Sequence, residues 1–228
     1  MVLASLTLEL RGVTGCGLRD VSIELTRAAL HAVVGDAGCS ALLRLAGLLE
    51  PLDAGEVLIG GEATRGLSSE ERGALRGRYF GFVFAAPYLL PSMTIVENVA
   101  VPYFKLAGGG LDDARERTGE VLAFAGLAER GGEAVGDLGW LEQQRVALAR
   151  ALVHRPAFLI VDHASAPLAG WQPIEELLRE VPARFGAAVL VAAPPGFMAS
   201  PGERVFTVGS GTAREALAHL PERESSPS

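Results

Sequence analysis

Two stretches of this chain carry residue types at spacings from which chemistry can be built. The first runs from Gly35 to Ser40, between an apolar segment and a Leu- and Ala-rich one. A glycine-bearing turn that leads into a helix can curl backbone N–H groups around an anion. Binding a nucleotide's phosphates takes more. The pattern Gly-x-x-x-x-Gly-Lys-Ser/Thr adds a lysine for the β- and γ-phosphates and a hydroxyl for Mg²⁺. Counted from Gly35, the second glycine, the lysine and the hydroxyl fall on Ser40, Ala41 and Leu42. Aligned from the following helix instead, Ser40 supplies the hydroxyl, and the loop is about two residues short. Gly35, Gly38 and Ser40 are therefore a phosphate-loop remnant, and a plain strand–turn–helix connection accounts for the same residues. A helix N-terminus at Ser40 would still attract an anion weakly.

The second stretch is Asp162-His163, at the end of the apolar run Phe158–Val161. An imidazole near neutral pH can act as a general base. It does so only on a substrate held in position. The structural reading of Asp162 is a strand-end carboxylate bonded to nearby backbone.

These residues need elements to hold them. Leu6–Leu10 and Val21–Leu25 alternate apolar and polar residues, the period of a half-buried strand. Ala29–Val34, Phe158–Val161 and Ala187–Val191 are continuous apolar runs, as buried parallel strands are. Gly55–Ile59 and Tyr79–Phe84 are also strand-like. Helices are expected over Ala41–Leu49, Ser68–Arg76, Ala114–Leu127, Glu142–Val153 and Ile174–Phe185. Ser68 and Glu71 have the spacing of a capping box. Strands alternating with helices predict an α/β fold with a mainly parallel sheet. A mostly helical segment, about 87–140, interrupts the series. The expected organisation is one domain over residues 1–220 with that lobe inserted, followed by a disordered tail over 221–228.

Composition bounds the function. The net charge of −7 argues against broad nucleic-acid binding. No apolar stretch is long enough to span a bilayer, and the N-terminal segment lacks the build of a secretion signal. The two cysteines, Cys16 and Cys39, have no metal-ligand spacing. Of the 20 basic residues only Lys105 is a lysine, so no nearby lysine replaces the one missing after Gly38.

The run EQQRVALARALVHRP, Glu142–Pro156, followed by FLIVD, Phe158–Asp162, resembles the helix after the signature motif and the Walker B strand of ABC-type ATPases. LLRLAGLLEPLDAGEVLIGG, Leu42–Gly61, is similar to the helix and strand after that family's phosphate loop. GFVFAAPYLLPSMTIVENVAVP, Gly81–Pro102, resembles its glutamine-loop region, in wording nearest the lipoprotein-releasing and macrolide-exporter branch. The resemblance covers roughly residues 5–210, in the family's order. It implies a P-loop ABC ATPase fold: a parallel core, an N-terminal antiparallel part and a helical lobe.

The resemblance also marks which positions depart. The lysine position holds Ala41. The glutamine falls on Ala85, and the signature reads Leu138, Gly139, Trp140, Leu141, Glu142, Gln143. Asp162 keeps the Walker B carboxylate that would bind Mg²⁺ through water, while the catalytic glutamate is His163. The D-loop aspartate is Ala169 and the switch histidine is Ala193. No aromatic for adenine stands near Val13–Gly17. The expected function is an ABC-type subunit that binds ATP weakly or not at all and hydrolyses none, with no cofactor. It would act as scaffold or regulator beside a membrane permease and a second ATPase subunit, or as a homodimer, at the cytoplasmic face of a membrane. The alternatives are a working subunit that uses ATP and Mg²⁺ through non-consensus residues, and a relic without present function.

Overall fold

In the computed structural model, residues 6–163, 171–194 and 196–216 are described. Strands β1 (Leu8–Gly15), β2 (Leu18–Leu25), β4 (Ala54–Ile59) and the two-residue β5 (Glu62–Ala63) form an antiparallel sheet in the order β2-β1-β4-β5, with β3 (Leu30–Gly35) lying elsewhere. β1 and β2 each bury alternate residues, so one face of this sheet is apolar. The larger sheet adds β6 (Phe80–Phe84), β7 (Phe158–Asp162), β8 (Ala188–Ala192), β9 (Arg204–Gly209) and β10 (Thr212–Ala216). Its order is β10-β9-β3-β8-β7-β6. All pairs are parallel except the β9–β10 hairpin at one edge.

The central strands are apolar throughout because both faces are covered. Ile160 and Leu190 pack with the antiparallel sheet and with α1 (Gly38–Ala46), through Leu8, Leu10, Leu42 and Leu45. Their neighbours Val161 and Val189 point the other way. They pack with α3 (Ile95–Pro102), α4 (Leu111–Phe124), α5 (Trp140–Leu152) and α6 (Trp171–Phe185), through Ile95, Val121, Leu148 and Leu178. The period of two along each strand thus feeds two separate cores.

Between β6 and β7 the regular elements are helical: α3, a π-helical extension over Tyr103–Ala107, α4, two single 3₁₀ turns and α5. Helix α2 (Ser69–Tyr79) precedes β6 and starts in the expected capping box, with the Glu71 N–H donating to Ser68 Oγ.

Three features differ from the sequence reading. Helix α1 covers Gly38–Ala46 rather than 41–49, so it begins about three residues nearer Gly35. Helix α3 falls in the segment of about 87–140 expected to be mostly helical but was not delimited there, although Thr94 and Glu97 form a second capping box at its start. The β9–β10 hairpin was also missed; its pattern surrounds a Ser210-Gly211 turn in which both residues have positive φ. Ala169 and the expected disordered tail over 221–228 lie outside the described residues. Among the described residues, no helix is long and apolar enough to cross a membrane.

Candidate functional site

The parallel strands end along one edge of the large sheet. Phe84 stands opposite Asp162, Asp162 opposite Ala192, and Gly35 opposite Val208. Ala85, Asp162, His163, Ala193 and the Gly35–Ser40 turn therefore all meet at the carboxyl ends of the strands. In open α/β sheets that edge is where ligands bind.

The turn after β3 is tight. Only Asp36 and Ala37 separate the strand from α1. Gly35 has φ +143°, and a Cβ there would lie 1.9 Å from the Val208 carbonyl oxygen, so no other residue fits. The Asp36 N–H donates to that same oxygen at 3.3 Å. The chain then folds back on Asp36. The Gly38 N–H donates to Asp36 Oδ1 at 2.8 Å, and the Cys39 N–H donates to the Asp36 carbonyl at 3.0 Å. Two amides at the start of α1 are thus engaged inside the turn by one residue. A Cβ on Gly38 would meet Val208 Cγ1 at 2.7 Å and Asp36 Oδ1 at 2.9 Å. Asp36 carries its own signal in the sequence, an aspartate two residues before a backbone N–H it can cap.

The neighbourhood is electronegative. Burial pushes the Cys39 thiol up to about 11, and the nearby Asp36 and Asp162 carboxylates add to the rise. Ser40, in the first turn of α1, donates its hydroxyl to Asp162 Oδ1 at 2.8 Å. A side-chain hydroxyl is therefore a partner of the Asp162 side chain, and one contact joins the start of α1 to the end of β7. The Asp162 carbonyl accepts the Ala85 N–H at 2.9 Å. Arg44 lies a turn further along α1, 3.9 Å from Glu50. Lys105 is exposed in the turn that extends α3. Ala41 is buried in α1, and Ala193 is buried with its N–H on the Val33 carbonyl.

A second cluster sits beside the first. The buried Gln144, on α5, donates its amide to the Phe84 and Ala85 carbonyls at 3.1 and 2.8 Å. With both amide hydrogens so used, its Oε1 can only accept, and it lies 3.1 Å from His163 Nε2. That contact places the imidazole proton on Nε2. Burial lowers His163 to about 4, against a smaller opposing pull from Asp162, so the ring is neutral at neutral pH. The Trp140 ring leans toward it, at 6.1 Å between centroids. The sequence singled out Ala85, Trp140 and His163 separately; Gln144, which connects the backbone after β6 to His163, went unnoticed within a helical run.

The signature-like residues start α5. Gly139 caps the helix, and its N–H donates to Glu142 Oε2 at 2.9 Å. Glu142 also pairs with Arg130, which with the Gly139 bond holds its carboxyl below the usual range. Gln143 donates to the Leu138 carbonyl at 3.0 Å, and Leu141 packs on the edge of the core. The structure therefore brings together Asp36, Gly38, Ser40 and Asp162 in one group, and Ala85, Gln144, His163 and Trp140 in another. Among the described residues, no group of three or more His, Cys, Asp or Glu side chains is placed to hold a metal ion.

Comparison with known proteins matches this architecture. The family model described as ABC transporter matches residues 18–166. A lipoprotein-releasing system ATP-binding protein of Bordetella avium is 37% identical over 198 residues, covering 85% of this chain and 86% of that protein. Its namesake in Maricaulis maris is 38% identical over 201 residues, covering 85% and 86%, and that of Bacteroides thetaiotaomicron is 32% identical over 202 residues, covering 87% and 92%. Among solved structures, a dimeric ATP-binding cassette in a post-hydrolysis state, bound to ADP and Pi, superposes with a TM-score of 0.79. It is 28% identical and covers 93% of this chain and 99% of that one.

Proposed function

This chain belongs to the ABC transporter family, and on that premise we propose that it is a cassette subunit of a transport complex that binds Mg-ATP weakly or not at all and does not hydrolyse it. The observation that carries the proposal is the 2.8 Å bond from the Gly38 N–H to Asp36 Oδ1. A phosphate at the start of α1 would have to displace that carboxylate and then sit beside it and Asp162. Like charges at such range disfavour each other, with solvent at this exposed turn screening part of the repulsion. The shortened turn offers few further amides, and the chain has no lysine there to balance the charge.

The rest of the site supports the same reading. His163 stands at the position of the family's catalytic glutamate, but its Nε2 hydrogen is directed at Gln144 and burial makes it a weak base. Trp140 and Leu141 replace the glycines that let a backbone approach a phosphate. Residues 35–40 and the signature are both altered. A partner cassette in a head-to-tail dimer, each site joining one chain's phosphate loop to the other's signature, would therefore complete neither composite site. In this reading the chain acts as a scaffold or regulator, peripheral to a membrane permease on its cytoplasmic side, with a second ATPase subunit or a second copy beside it.

One observation favours a different reading, a working ATP-binding and hydrolysing subunit with non-consensus residues. Ser40 and Asp162 keep a hydroxyl and a carboxylate 2.8 Å apart, the pair from which an Mg²⁺ site would be built, and the relatives are named ATP-binding proteins. Isothermal titration of the purified chain with Mg-ATP separates the two. No heat of binding at tens of micromolar protein is expected. A micromolar dissociation constant would end the first reading.

A further inference from the structure

We propose that His163 is a latch that fixes the α3–α5 helical segment to the parallel sheet through Gln144. This rests on the reading that the residue does no base chemistry, and it goes beyond that reading by giving the residue a task.

The geometry is a three-way pin. Gln144 lies in the second turn of α5 and is fully buried. Its Nε2 holds the two carbonyls at which the chain leaves β6, Phe84 and Ala85. Its Oε1 faces His163 Nε2 at the end of β7. One amide thereby ties two adjacent strand ends to the start of the helix. Each of its polar groups has a complementary partner, as a buried amide requires. The Ala85 N–H to the Asp162 carbonyl closes the same ring through backbone. Arg150, further along α5, holds the next carbonyls of that segment, Pro87 and Tyr88. Trp140 in the first turn of α5 borders the imidazole, its ring tilted 52° to it.

The pin requires a donor at position 163. A glutamate there, the family's residue, would set a carboxylate against Gln144 Oε1, acceptor against acceptor, and Gln144 could turn only by abandoning both carbonyls. A histidine at this position is therefore more than the loss of a base: it adds a bond that the glutamate cannot make.

The test is hydrogen exchange, followed by NMR on the full chain, of His163→Glu, His163→Ala and His163→Gln. Two amides report the latch: Ala85, bonded to the Asp162 carbonyl, and Gln143, bonded to the Gly139 carbonyl. Val189, bonded to the Ala29 carbonyl inside the sheet, reports overall stability. In the Glu and Ala variants, Ala85 and Gln143 are expected to exchange at least about tenfold faster relative to Val189. The Gln variant keeps a donor and should stay within about threefold of the parent. If all three amides accelerate together, His163 is an ordinary core residue and the latch is refuted. The same holds if Gln behaves like Ala. Should the Glu variant not fold, the Ala and Gln variants decide alone. None of these outcomes depends on nucleotide, so Mg-ATP binding by the parent chain would overturn the proposed function separately.

Discussion

Ser40 Oγ and Asp162 Oδ1 are 2.8 Å apart although 122 residues separate them in the chain, and this one hydrogen bond ties α1 to the end of β7. A bond to a carboxylate contributes more than one between neutral groups. Ser40→Ala should lower unfolding free energy by about 1–3 kcal/mol. Urea unfolding monitored by circular dichroism would show a lower midpoint at unchanged slope. An unchanged midpoint would mean that the bond is exchanged for water without loss.

Gly35 makes a sharper prediction. Its positive φ and the 1.9 Å approach to Val208 mean that a methyl group cannot be added without moving β9 from β3. Gly35→Ala should cost about 2–4 kcal/mol, well above an ordinary surface change. Thermal unfolding beside Gly17→Ala is the control, because a Cβ at Gly17 also has positive φ but meets nothing within 4 Å.

On the proposed function, nucleotide binding can be restored in part. Replacing the Gly35–Ser40 turn by a family-length phosphate loop with its lysine removes Asp36 and restores the amide cradle. Titration should then detect Mg-ATP binding. Steady-state phosphate release should stay at background, because Ala85, Trp140, His163 and Ala193 are unchanged. Turnover by the repaired chain would contradict the proposed function.

Acid should destabilise the chain before its carboxylates titrate. Burial lowers both His31 and His163 from 6.5 to about 4. The unfolded chain therefore takes up protons first as the pH falls, and stability declines between about 6.5 and 4. From pH 7.5 to 5 the loss should be about 2 kcal/mol per histidine. His163→Gln should remove its share of that slope. A parent chain equally stable at both pH values would show that the imidazoles are solvated.

Much of the fold was readable in the sequence for a local reason. Buried parallel strands must be apolar on both faces, so Phe158–Val161 and Ala187–Val191 announce themselves, and the Ser68/Glu71 capping box marks a helix start with side-chain chemistry alone. The match of Glu142–Asp162 to a family pattern supplied the order of the rest. Thr94 and Glu97 carried the same capping signal for α3, which was overlooked because the run after it is short and ends in Pro102. The β9–β10 hairpin is short and its second strand buries no residue, so its pattern is faint.

The sequence alone also determined which functional groups are available: Lys105 is its one lysine, and alanine and histidine stand at 85 and 163, where the resemblance would place a glutamine and a glutamate. Absence is legible residue by residue because each chemistry needs its own functional group. How these residues are bonded was decided by tertiary structure. Asp36 capping Gly38, Ser40 meeting Asp162, and Gln144 joining Ala85 to His163 depend on hydrogen-bond directions, and the last two join strand ends and helix starts that lie far apart in the chain. Directional bonds of this kind leave no periodic trace in the sequence, and only the packing of α1 and α5 on the sheet edge brings those longer-range pairs together.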